Sequence, residues 1–77
     1  MYIHIGGETV LRSRDVVAIF DASILQQQAH LASGPNWRAL GPVKSVVLTP
    51  THVYGSPISC ATLRKRLMNR PRLESKT

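Results

Sequence analysis

Val16-Val17-Ala18-Ile19-Phe20 is an unbroken apolar run in which every residue except Ala18 is β-branched or aromatic. Such side chains suit a pleated strand, and a strand apolar at every position needs cover on both faces. A chain of 77 residues buries only about 60% of the surface its unfolded form exposes. The second cover over residues 16–20 is therefore expected from another subunit. Val46-Val47-Leu48, inside residues 44–49, is a second strand of the same buried kind, and Pro50 stops it. A Thr49-Pro50-Thr51 turn then leads into His52-Val53-Tyr54, a short further strand.

Toward the N-terminus the pattern changes from continuous to alternating. In Tyr2-Ile3-His4-Ile5 the two isoleucines share one face, and Gly6-Gly7 supplies the positive φ of a tight hairpin turn. Residues 8–14 follow as an amphipathic strand or strand end, with Thr9 and Leu11 on one face and Val10, Arg12 and Arg14 on the other. Beyond Asp21, Ser23 followed by Gln26 fits a capping box and predicts a short middle helix with Leu25, Ala29 and Ala32 on its apolar side. Ser33-Gly34-Pro35 ends it, and residues 36–42 have no period, so Trp37 and Leu40 are expected to anchor a loop. Near the C-terminus, Ser59 reads as the N-cap of a helix whose apolar stripe is Cys60, Leu63 and Leu67. Pro71 disfavours helix at the preceding residues, which sets a single domain over 1–68 and a disordered basic tail over 69–77. The fold class is α+β: a small, mostly antiparallel β-sheet domain with a short middle helix and a C-terminal helix.

Charge is unevenly placed. Ten basic residues against four acidic give a net charge of +6, and +5 of it lies in the last fourteen positions: Arg64, Lys65, Arg66, Arg70, Arg72 and Lys76 against Glu74. Concentrated positive charge attracts polyanions, so nucleic acid or an anionic membrane is the first partner to consider, with a solvated tail as the bland alternative. Arg64, Lys65 and Arg66 surround a narrow apolar stripe, and the C-terminal helix has no Trp or Phe to enter lipid, which favours phosphate over membrane. Arg12 and Arg14 on one strand face can grip neighbouring phosphates or fork to guanine edges; equally, they can guard a sheet edge against aggregation. Trp37 reads better as a packing anchor than as a base-stacking platform.

Other chemistries are poorly supplied. Glu8, Asp15, Asp21 and Glu74 form no recognisable acid-base pair, so no enzymatic activity is expected. His4, His30 and His52 lack zinc-site spacing, and Gly6-Gly7 lacks the lysine and spacing of a phosphate-binding loop. No metal or cofactor is expected. Cys60 is alone, which excludes an internal disulfide, and it reads as a small core residue. With 43% hydrophobic residues, no long apolar span and no charged leader, the expectation is a folded cytoplasmic protein.

Several of these stretches share a resemblance. Met1-Tyr2-Ile3-His4-Ile5-Gly6-Gly7, Ser13 through Asp21, Lys44 through Thr49, Val53 through Ser59 and Thr62-Leu63-Arg64-Lys65-Arg66 together resemble the small bacterial extracellular-matrix regulators of the RemA/RemB family, nearer its RemB branch. The resemblance covers roughly residues 1–67 apart from the middle segment. It implies a DNA-binding transcriptional regulator of matrix and biofilm genes, with subunits similar to LytTR-type DNA-binding domains assembled into a homo-oligomeric ring. It also marks Arg14, which falls where RemA proteins carry a basic residue used for DNA binding. RemA proteins have an arginine-rich loop before the Val-Val strand, whereas Gly41-Pro42-Val43-Lys44 keeps only Lys44. The expected partners are double-stranded DNA and further copies of the chain, with Arg12, Arg14, Lys44, Arg64, Lys65 and Arg66 as contacts. The alternative is an oligomeric scaffold that acts through another regulatory protein and touches nucleic acid weakly.

Overall fold

The computed structural model describes residues 1–68. The tail expected over 69–77, with Arg70, Arg72 and Lys76, lies outside the described residues. The first unit is a hairpin of β1 (Tyr2–Gly6) and β2 (Thr9–Arg12), paired antiparallel with Ile3 opposite Leu11 and Tyr2 opposite Arg12. Its turn is made by Gly6 and Gly7 at φ 135° and 53°, as the sequence predicts. Alternation then buries Ile3 and Ile5 and leaves Tyr2 and His4 in solvent.

The second unit is a four-stranded sheet in the order β3 (Ala18–Asp21), β5 (Ser45–Leu48), β6 (Val53–Ser56), β4 (Trp37–Ala39). β3 and β6 each pair antiparallel with the central β5, but β4 runs parallel to β6, so the sheet is mixed. The loop expected over 36–42 is thus an edge strand in its first half. Its position is fixed by Trp37, whose indole lies so close over buried Gly55 that a Cβ there would sit 2.6 Å from Cη2. A three-residue strand held by one aromatic anchor shows no period for sequence to detect.

The middle α-helix does not form. Two 3₁₀ turns, Ala22–Gln26 and Ala29–Ala32, take its place. Ser23 is not the cap; the Asp21 carboxylate accepts from the Ser23 backbone N–H at 2.9 Å, and this contact, followed by the Ser23 hydroxyl, holds the Asp21 pKa below the usual carboxylate range. A short Asp side chain at the end of a strand bonds readily to the amide two residues on, and that local bond competes with helix capping. The apolar face of Leu25, Ala29 and Ala32 is also too small to support a helix by packing.

The C-terminal helix α1 (Cys60–Met68) starts as predicted: the Ser59 hydroxyl accepts from Thr62 N–H at 3.3 Å, and the Ser59 carbonyl from Leu63 N–H at 3.0 Å. Leu63 is fully buried, and Cys60 and Leu67 flank it. The core forms where the hairpin, the sheet and α1 meet, from Ile3, Ile5, Ile19, Val47 and Leu63. Val46, also fully buried, faces the other way, toward the side where the middle segment packs on β5 and β6. β5 therefore receives both covers from its own chain. Within β3, Ile19 is 7% exposed, whereas Val17, just before the strand, is 66% exposed.

Ser56 joins the sheet to the hairpin, and with Ser45 it holds the segment after β6. Ser56 Oγ donates to the Ile5 carbonyl and accepts from Ile58 N–H at 3.0 Å, and Ser45 Oγ donates to the Ile58 carbonyl at 2.7 Å. Among the described residues no buried side-chain polar atom lacks a partner. None of the described helices is long and apolar enough to cross a membrane.

Candidate nucleic-acid interface

β2 ends at Arg12, and the chain turns at once through a 3₁₀ turn, Ser13–Asp15. Arg14 is therefore not the next outward position of a strand, as alternation predicts. The turn is closed by Val16 N–H to the Ser13 carbonyl at 3.2 Å and tied to the N-terminus by Ser13 N–H to the Met1 carbonyl at 2.9 Å. It still carries Arg14 back beside Arg12. Both exposed arginines line one open cleft of about 370 Å³ with Met1, Tyr2 and Ser13. Among the described residues no carboxylate lines this cleft. Two guanidiniums, each a planar fork of N–H donors, and one serine hydroxyl make a donor-rich site suited to phosphate oxygens.

The other cations expected at the interface do not line this cleft. Lys44 lies just before β5; its backbone bonds to Ser56 on one side and to Ala22 on the other, and its side chain is exposed. That is the opposite end of β5 from the Thr49-Pro50-Thr51 turn, which borders a second cleft of about 240 Å³ with Leu11, Asp15 and Tyr54. Arg64 donates through Nη2 to the Ile19 carbonyl at 3.0 Å, and Arg66 through Nη1 to the His4 carbonyl at 2.8 Å. These bonds fasten α1 to edge strand β3 and to the hairpin, and each guanidinium keeps further N–H donors. Lys65 lies exposed between them. Arg38, which the sequence reading did not single out, is exposed on β4 and held by the Pro35 and Trp37 carbonyls at 3.1 and 2.9 Å. Its signal was its place in a segment read as loop.

The histidines are dispersed. His4 Nε2 bonds the Gly7 carbonyl at 2.7 Å across the hairpin turn, His52 Nδ1 meets Thr51 Oγ1 at 2.9 Å, and His30 is exposed on the second middle turn. Among the described residues no three His, Cys, Asp or Glu side chains cluster as metal ligands would.

With its β-hairpin, small mixed sheet and one basic helix, the chain belongs to the RemA/RemB family of small regulatory proteins. The relative that establishes it is extracellular matrix regulatory protein B of Bacillus subtilis (strain 168), 38% identical over 76 residues that cover 86% of this chain and 89% of that protein. No family model matches the chain. Family membership gives the chain a regulatory role.

Proposed function

We infer that the chain is a cytoplasmic transcriptional regulator of extracellular-matrix and biofilm genes that binds duplex DNA. Its subunits assemble as a LytTR-like homo-oligomeric ring and meet the phosphate backbone along a basic rim. The observation that carries this reading is the pairing of Arg12 and Arg14 in one cleft that no carboxylate among the described residues lines. Arg14 leads the interface, Arg12 supports it, and Lys44, Arg64, Lys65 and Arg66 extend the field around it. The exposed Val17, at the start of edge strand β3, is an apolar surface a neighbouring subunit would cover. Phosphate contacts supply most of the affinity, and sequence preference comes from a few base contacts and from the energy of deforming the site.

A second reading has its own support in Gly41-Pro42-Val43-Lys44, where a single cation stands before β5. With so little charge there, the oligomer acts as a scaffold for another regulator and touches DNA weakly. Titrating a short labelled duplex with the intact chain and with a double Arg12→Ala, Arg14→Ala variant separates the two. Strong binding that the double variant loses, at unchanged oligomeric mass, supports the DNA reading. Weak binding, equal in both proteins, supports the scaffold.

A further inference from the structure

The cleft is not purely cationic. Tyr2 stands directly opposite Arg12 in the hairpin register, and residues paired in this way hold their Cβ atoms about 5 Å apart. Tyr2 is 65% exposed, although it sits one residue from Ile3, which is 2% exposed. Three features place its backbone: alternation along β1 turns the side chain outward, pairing with β2 fixes its height, and the Ser13-to-Met1 backbone bond pins the strand end beside it. A rigid aromatic ring with few rotamers, next to two guanidiniums and a hydroxyl, makes a mixed surface. Phosphate alone needs the cations; a sugar or base beside that phosphate needs the ring.

We propose that Tyr2 contacts the nucleic acid itself, its ring packing against the deoxyribose and base that flank the phosphate held by Arg12 and Arg14. The inference rests on the DNA reading and adds to it a contact whose strength does not depend on counterions. Arginine contacts release condensed cations and set the slope of affinity against salt; an apolar ring contact leaves that slope alone.

The test is a fluorescence anisotropy titration of a labelled duplex across a salt series with the full chain and its Tyr2→Ala, Tyr2→Phe and Arg14→Ala variants, with mass followed by light scattering. Tyr2→Ala is expected to weaken binding about tenfold at every salt concentration with an unchanged slope, as for loss of one ring contact. Tyr2→Phe is expected to retain binding, and Arg14→Ala to flatten the slope. Tyr2→Ala binding like the unaltered chain, while Arg14→Ala still flattens the slope, overturns the role of Tyr2 and leaves the DNA reading standing. Tyr2→Phe behaving like Tyr2→Ala replaces the ring contact with a hydroxyl bond and also overturns it. A fall in oligomeric mass for Tyr2→Ala assigns the ring to a subunit contact instead. Absence of binding by the unaltered chain removes the DNA reading and this inference together.

Discussion

Replacing Ser56 by Ala tests how the hairpin that carries Arg12, Arg14 and Tyr2 is held on the sheet. Ser56 is fully buried, and its hydroxyl serves two backbone groups: it donates to the Ile5 carbonyl, 51 residues away, and accepts from the nearby Ile58 N–H. Alanine fills the space without serving either. A buried polar group left without a partner costs about 1–3 kcal/mol, and of the two, the Ile5 carbonyl lies in the fully buried part of β1. The expected loss is about 2–3 kcal/mol, from a total that for a chain of this length is roughly 4–12 kcal/mol. Urea unfolding followed by Trp37 fluorescence, at fixed protein concentration so that assembly does not vary, reads the change as a lower midpoint at unchanged slope. Duplex affinity measured well below that midpoint is expected to fall as well, because the hairpin loses its fixed orientation. A stability loss under about 1 kcal/mol would refute the reasoning and place the anchorage of the hairpin in apolar packing alone.

Other substitutions probe separate joints of the fold and site. Gly55→Ala forces a Cβ to within 2.6 Å of Trp37 and 2.8 Å of Val43, and overpacking of this kind costs about 1–3 kcal/mol in thermal or urea unfolding. The same change made in a Trp37→Leu background is expected to cost less. Asp21→Ala removes the carboxylate that bonds Ser23 N–H and lowers stability at neutral pH. Because the folded pKa of Asp21 is depressed, its contribution is complete above the ordinary carboxylate pKa and disappears as pH falls through the folded value. Unfolding midpoints of the two proteins should therefore converge on acidification, and a constant difference would argue against the bond. Arg14→Ala should flatten the plot of log affinity against log salt by about 0.9 for each phosphate it contacts, at unchanged oligomeric mass.

The hairpin, β5 and α1 were readable because each carries a periodic or capped pattern at adequate length. Ile3 and Ile5 alternate before Gly6-Gly7, Val46-Val47-Leu48 is continuous, and Ser59 precedes a Cys60, Leu63, Leu67 stripe that meets the core. What failed depended on contacts distant in sequence. β4 exists because Trp37 rests over Gly55, and nothing between positions 36 and 42 announces it. The middle segment carries a plausible capping box at Ser23 and Gln26, yet Asp21, placed by its pairing with Ser45, captures the Ser23 amide first. The candidate site was legible only in part. Arg12 and Arg14 were paired by strand alternation, whereas the fold pairs them by ending the strand and turning. The anchoring of Arg64 to Ile19 and Arg66 to His4 needed the tertiary structure, since those partners lie 45 and 62 residues away.

The central claim is that a discrete oligomer of this chain holds duplex DNA by its phosphates, and the most direct test is duplex binding across a salt series with mass determined by light scattering on the same sample. Two arginines per cleft predict a slope of log affinity against log salt of about −1.8 for each subunit engaged, steeper as more subunits of the assembly take part. Tight binding with such a slope by a single oligomeric species is the predicted result. A well-formed oligomer that leaves the duplex unbound near physiological salt would contradict the account and turn attention to a protein partner.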